Sequence, residues 1–324
     1  MEVPTLGEFF ERYRSTVLSK VSGRTGGGYM VAWRQRVAPT FEHRELTDIT
    51  TLEVEEAFSS WSGSWSTRID ALAVLSAICR VAVKGGVLAS NPCIGVERPR
   101  VQQPDPASRA LSAAEIGLLL NVLPPSGPYR RFVLALLYTG CRVGEVAGLR
   151  VSDIDWDART IRVVRTASPG FSGELVVGPT KGRRGRTVPL PAPLVPILVE
   201  AVADKGPWDL VFPGPRGGYI SSKNLSRALN WFDVRDSVKS FPPEEPPLHW
   251  HDLRHTAAVM LFLAGLSAPD VQAILSHSTL VVTQQYADTR NEAAKRGAVA
   301  LSALYARQSE GQLRSPLTPA AGEA

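Results

Sequence analysis

Between residues 5 and about 95 the apolar positions recur with a helical period. The stretch "TRIDALAVLSAICRVAVKGG" places Ile69, Leu72, Leu75, Ile78 and Cys79, then Ala82 and Val83, on one stripe, and stops at the Gly85–Gly86 pair. The pattern lapses over "ERPRVQQPDPASR", where three prolines and mostly polar neighbours break any periodicity and read as a linker. Helical spacing resumes at "LSAAEIGLLLNVL", with Ser112 and Glu115 at capping-box distance, and runs on through "RFVLALLYTG" and "RVGEVAGL". From Thr160 the period changes to two. "TIRVVRT", "GELVVGPT" and "RTVPL" read as three short strands joined by turns. Helices return over 192–203, 221–232 and 252–264 and continue to about 306. The expected fold is mainly α with a small antiparallel β-sheet. It divides into a helical domain (1–96), a linker (97–110), an α+β domain (111–308) and a disordered tail (309–324).

Composition narrows the class of partner. The chain has 324 residues, 44% of them hydrophobic and 21% charged, enough for two domains with real cores. A net charge of +5 leans toward a polyanion without choosing between nucleic acid and a membrane surface. Cys79, Cys93 and Cys141 share no CxxC spacing and read as reduced core residues. The opening "MEVPTLGEFFERYR" lacks the apolar stretch of a secretory signal, and runs such as "AVMLFLAG" are too short to cross a bilayer. A cytoplasmic protein that makes no membrane contact is expected.

The densest chemistry lies in "HDLRH", residues 251–255. At about 100° per residue, His251, Arg254 and His255 share one helix face, while Leu253, Ala257, Met260, Leu261 and Ala264 fall on the other. HxxxH is also the spacing of a helical zinc site, but Asp252 replaces the usual glutamate and Arg254 stands between the rings. A permanent guanidinium repels a divalent cation and suits a phosphate. An anion site is therefore favoured, against the blander reading of a histidine-rich helix end.

Other segments carry compatible groups. Arg142 follows Gly140 at an expected helix start, where its side chain and free N–H groups could face an anion and Glu145 could orient it; the alternative is an ordinary Arg142–Glu145 salt bridge. "GPTKGRRGRTVPL" gathers Lys181, Arg183, Arg184 and Arg186 on a turn, either simply solvated or a cationic finger reaching for a phosphate backbone. Lysine can act there as a general acid, which arginine cannot. His277 lies between two expected helices and Tyr286 follows nine residues later; a lone tyrosine is most often a packing residue.

Together these segments resemble the tyrosine recombinase (phage integrase) family. "TGCRVGE", "TKGRRGRTVPL", "HDLRH", "LSHS" and "QQY" stand in the family's order and spacing, and the resemblance covers roughly residues 5–306. It implies a helical core-binding domain ahead of a catalytic domain, and a site-specific recombinase that cleaves duplex DNA through a 3′-phosphotyrosyl intermediate. By the same resemblance Arg142, Lys181, His251, Arg254, His277 and Tyr286 are catalytic. Glu145 and His255 support them, and Arg183, Arg184 and Arg186 contact DNA. Two departures from this reading stay open: a DNA-binding protein of the same architecture that does not cut, and a metal-dependent hydrolase built on His251 and His255. Neither cofactor nor metal is expected. Double-stranded DNA is the expected partner in a nucleoid-associated setting, with a homotetramer in the synapse and room for accessory proteins. By the same resemblance the segment "NEAAKRGAVALSALYA" would dock on a neighbouring protomer, the alternative being packing in cis. Ser276 stands where the family usually has glycine, so a slight backbone adjustment is expected there.

Overall fold

A computed structural model describes residues 3–98, 107–170, 174–180 and 185–276. In the N-terminal part, α1 (Leu6–Leu18) opens on a capping box in which Thr5 and Glu8 satisfy each other's backbone N–H. α2 (Gly23–Ala32) runs through a π-helical turn into α3 (Ala38–Phe41). A second capping box, Thr50 with Glu53, starts α4 (Thr51–Ser60). The longest helix, α5 (Trp65–Lys84), begins at Ser64 and gives way to Gly86, whose φ of 73° ends it. The expected stripe on α5 is buried at Leu72, Leu75, Ile78, Cys79 and Ala82, but Val83 is only half-buried while Ala71 and Val74 are enclosed. The stripe is wider than a single face because α1 and α2 both pack on α5. Phe9, Phe10, Trp33, Phe41 and Phe58 complete this core. Cys79, Cys93 and Cys141 are free and buried.

A separate core organises the remainder. α6 (Ala113–Val122) starts at the expected Ser112–Glu115 capping box. α7 (Pro128–Thr139) buries Phe132, Val133 and Leu136 and ends at Gly140, φ 63°. α8 (Val143–Ala147) follows directly. Strands β1 (Ile154–Asp155) and β2 (Thr160–Val163) are antiparallel. β3 (Arg165–Pro169) pairs with β4 (Leu175–Pro179) as a separate two-stranded sheet, and β5 (Arg186–Pro189) joins β2, giving the order β1-β2-β5. "TIRVVRT", read from its alternation as one strand, is thus two, divided at Val164. Its first half buries Ile161 and Val163 in the core, and its second packs on α8. That approach is close: a Cβ on Gly144 would meet the Ala167 carbonyl oxygen at 2.3 Å, so only glycine fits.

The helices α9 (Val195–Val202), α10 (Ser222–Ala228), α11 (Trp231–Val238), α12 (Asp252–Leu263) and α13 (Ala268–Leu275) complete the described residues. Trp231 and Trp250 stack with ring centroids 4.0 Å apart and close the core beneath α12. α12 departs from the two-faced helix expected of it. Its first two turns are enclosed on several sides, burying Asp252, Leu253, Arg254, Thr256, Ala257 and Ala258, whereas Met260 and Leu263 are exposed further on. α7 and α13 both pack against it, so Arg254 lies in the interior and not on an open cationic face. Ala107 packs on a small further cluster of Ala258, Phe262, Val271 and Leu275, from α12 and α13, and Arg109 is buried, so the end of the stretch read as linker is packed against these helices. Among the described residues no helix is long and apolar enough to cross a membrane.

Candidate active site

The site is assembled around one carboxylate. Glu145, on α8, is 2% exposed. Its Oε2 accepts the Arg142 backbone N–H at 2.8 Å, and its Oε1 accepts from the Arg142 guanidinium at 3.0 Å. From β5, Arg186 donates to both oxygens, at 2.9 and 2.7 Å. Burial pushes the Glu145 carboxyl upward, but the hydrogen bonds and charge of Arg186, followed by those of Arg142, outweigh it and bring the group to about 2. Glu145 is therefore a fixed anion that holds two cations in place.

Arg186 does more than pair. Its Nε donates to the Ile274 carbonyl at 2.7 Å, in the last turn of α13. Its side chain is 7% exposed, so it is an internal strut, not the solvent-facing DNA contact expected from the charge run. The correction has a simple cause. Arg186 is the first residue of β5, and pairing with Val163 sets it beside Glu145 instead of on the turn.

Arg254 approaches from α12 and holds the same helix end. It donates to the Gly140 carbonyl at 2.9 Å and to the Leu275 carbonyl. The C-termini of α7 and α13, both carrying partial negative charge, thus converge on one guanidinium. Among the described residues no carboxylate bonds to it directly. Burial and then the Arg142 charge push Arg254 down to about 10, a sign that this cation sits where an anion is wanted. The backbone at Arg142 differs from expectation in one respect, since Glu145 takes its N–H and leaves the side chain, one-third exposed, as the part that faces outward.

His251 precedes α12 and is exposed, with its ring edge-to-face with His255 at 5.1 Å. Burial of its inner side, then Arg254, His249 and Arg142, push His251 down to about 4, and Asp252 only partly opposes them. Burial followed by the neighbouring His251 holds His255 at about 3. Both rings are neutral near pH 7, so each carries one donor and one acceptor nitrogen.

The structure brings Arg142, Glu145, Arg186, His251, Arg254 and His255 together. Lys181, Arg183, Arg184, His277 and Tyr286 lie outside the described residues, as do the tail and the C-terminal helical segment. Two residues of the site were not singled out by the sequence pattern. Asp252 is fully buried and accepts from Arg109 at 3.1 and 2.7 Å, from the His249 backbone at 2.9 Å and from the His249 ring at 3.0 Å. An acidic residue opening the first turn of α12 was a usable signal for Asp252. Arg109, in a polar proline-rich stretch, gave none.

A helical unit followed by a helix-rich unit with small antiparallel sheets, the latter holding a cluster of arginines and neutral imidazoles, defines a phosphate-handling protein of the recombinase type. The chain belongs to the phage integrase family, whose model matches residues 109–293. The integrase of Mycobacterium phage D29 is 28% identical over 277 residues, 82% of this chain and 70% of that protein. Tyrosine recombinase XerC of Mycobacterium sp. (strain KMS) is 31% identical over 222 residues, 63% of this chain and 66% of that one. Among solved structures, the integrase of transposon Tn1549 in complex with a circular intermediate DNA superposes with a TM-score of 0.72. It covers 90% of this chain and 99% of that one at 16% identity. A lambda integrase tetramer bound to a Holliday junction gives 0.64, covering 85% and 78% at 20% identity. At such identities the likeness is one of fold.

Proposed function

We propose that the protein cleaves and rejoins duplex DNA at specific sites by forming a covalent link between Tyr286 and a 3′-phosphate. The observation that carries this reading is the charge balance of the site. Arg142, Arg186 and Arg254 gather near Glu145, the one carboxylate that pairs with any of them among the described residues, so positive charge exceeds negative by two in a largely buried setting. A phosphodiester whose negative charge grows in the transition state supplies the missing anion.

In the proposed reaction the Tyr286 oxygen attacks phosphorus and the bond to the 5′ oxygen breaks. Arg142 and Arg254 hold the non-bridging oxygens, and His277 donates to them. His251 enters neutral, able to donate to the phosphate or to accept the tyrosine proton, and the arriving negative charge raises its affinity for that proton. Lys181 protonates the departing 5′ oxygen. A 5′-hydroxyl from a partner strand then attacks the phosphotyrosyl bond, so the bond energy is kept and neither ATP nor metal is required. Assembly as a tetramer on DNA, as in the lambda integrase complex, and a nucleoid-associated location belong to the same proposal. Exposed Arg216, Lys223 and Arg227, on α10 and the loop before it, have no protein partner among the described residues and serve as DNA contacts.

The test begins by selecting bound duplexes from a random-sequence pool with the Tyr286→Phe protein. A nicked duplex built on the selected site should then trap a protein–DNA adduct with the wild-type chain and none with Tyr286→Phe. An adduct from that variant would move the nucleophile elsewhere, for example to Tyr305. Arg142→Ala and Arg254→Ala should each slow adduct formation by roughly 10²-fold or more. Adduct formation should persist in EDTA; full inhibition there would revive the metal reading.

A further inference from the structure

The segment joining the two parts of the chain ends in an arginine that is wired to the active-site helix. Arg109 is 4% exposed. Its Nε and one terminal nitrogen grip the two oxygens of Asp252, and its terminal nitrogens also donate to the carbonyls of Pro246 at 2.6 Å and Pro247 at 3.1 Å. The guanidinium lies 3.7 Å from the Phe241 ring centroid, and Glu245 is 3.6 Å away. Neighbouring bonds continue the attachment: Leu111 N–H donates to Thr256 Oγ1 at 2.9 Å, and Lys239 donates to the Ala110 carbonyl at 2.6 Å.

Asp252 is the hinge between this anchor and the chemistry. It follows His251 directly and opens the helix that carries Arg254 and His255. Its second oxygen also fixes His249. A bidentate Arg–carboxylate pair sets direction as well as distance, which a single point charge does not. We propose that Arg109 is a positioning residue for phosphodiester cleavage, aiming His251 and Arg254 through Asp252 and tying the segment that joins the two parts of the chain to the active-site helix. The inference rests on the recombinase reading of the site.

The experiment uses the full chain and two variants. Arg109→Lys keeps the charge and loses the fork. The double variant Arg109→Met with Asp252→Leu removes both charges, an exchange that buried pairs often tolerate without loss of stability. Three quantities are read: thermal unfolding, affinity for the selected duplex, and the single-turnover rate of adduct formation at saturating nicked duplex. A fourth needs no DNA. The ring of His251 sits edge-to-face with His255, so its ring-proton resonance, assigned through His251→Gln, reports the angle between them.

The expected result is near-wild-type unfolding and affinity, a 10- to 100-fold slower adduct rate, and a displaced His251 resonance. An unchanged rate in a folded variant overturns the proposal. So does a rate loss fully matched by lost affinity. Should Arg109→Lys fail to fold, the double variant decides on the same criteria. If the wild-type chain itself forms no adduct, the recombinase reading falls separately, and the resonance decides for Arg109: displaced supports positioning, unmoved rejects it.

Discussion

Ser276 adopts φ 55° and ψ 53°, the left-handed region that glycine enters freely and other L-residues only at a cost. It stands directly after Leu275, whose carbonyl Arg254 holds, so the turn cannot relax without moving that bond. The backbone adjustment expected from the sequence is therefore a strained residue at the exit of α13. Ser276→Gly should stabilise the fold by about 0.5–1 kcal/mol, the steric relief exceeding glycine's extra unfolded-state entropy. Urea unfolding would show it as a higher midpoint at unchanged slope; a lower midpoint would mean the serine hydroxyl matters more than its backbone. Arg186 is a harder case to read from sequence. Its residue type was legible, but its partners Glu145 and Ile274 lie about 41 and 88 positions away and meet it only after folding. Arg186→Ala should cost about 3–5 kcal/mol, because it leaves a buried carboxylate half-paired and the end of α13 untied. Loss of well under 1 kcal/mol would return Arg186 to the solvated-turn reading.

At the scale of elements, local signals did well where one rule governed and failed where two neighbours competed. The capping box at Ser112 and the glycine stop after α5 follow from a few adjacent residues, and both are present. The division of "TIRVVRT" into β2 and β3 left only a faint mark, the adjacent Val163 and Val164 that interrupt the alternation where the partner strand changes. The helical wheel of α12 identified Leu253 and Ala257 as buried but also placed Met260 and Ala264 inward. It missed that Arg254 is enclosed, because a wheel knows nothing of α7 and α13. That enclosure has a pH consequence. His255 faces His251, Asp252, His249 and Arg109 and is held at about 3, against an ordinary value near 6.5. Below pH 6.5 the unfolded chain takes up a proton that folded His255 refuses. Stability from this ring is thus full above pH 6.5 and is lost as pH falls toward 3. The interval from pH 6.5 to 5 isolates the histidines, because carboxylates have barely begun to titrate there. His255→Asn should flatten the fall in melting temperature across that interval; a slope equal to wild type would mean that the folded ring is protonated freely.

On the scale of the whole molecule, a net charge of +5 had pointed only to a polyanion. The structure turns that into an allocation of cations. Arg109 and Arg186 are consumed inside the protein, each pairing with a buried carboxylate, and add little to long-range attraction. The side chains of Arg216, Lys223 and Arg227, on one exposed region around α10, make no ion pair or hydrogen bond among the described residues. Sequence could not make this distinction, because both groups are simply basic residues in polar stretches. The two roles separate by salt. Each phosphate neutralised releases condensed counterions, so a footprint of six to ten phosphates should give a slope of log affinity against log salt of roughly −5 to −9. If Lys223 or Arg227 sits on a phosphate, its change to alanine should weaken binding to selected and unrelated duplexes alike and make the slope shallower by about 1. A residue that reads a base should instead erode discrimination, by about 1–3 kcal/mol, with little change in slope. Arg109→Lys should do neither. Filter binding of the uncleaving Tyr286→Phe protein across a salt series measures all three, and an unchanged slope and unchanged discrimination for both α10 variants would remove that helix from the DNA-contacting surface.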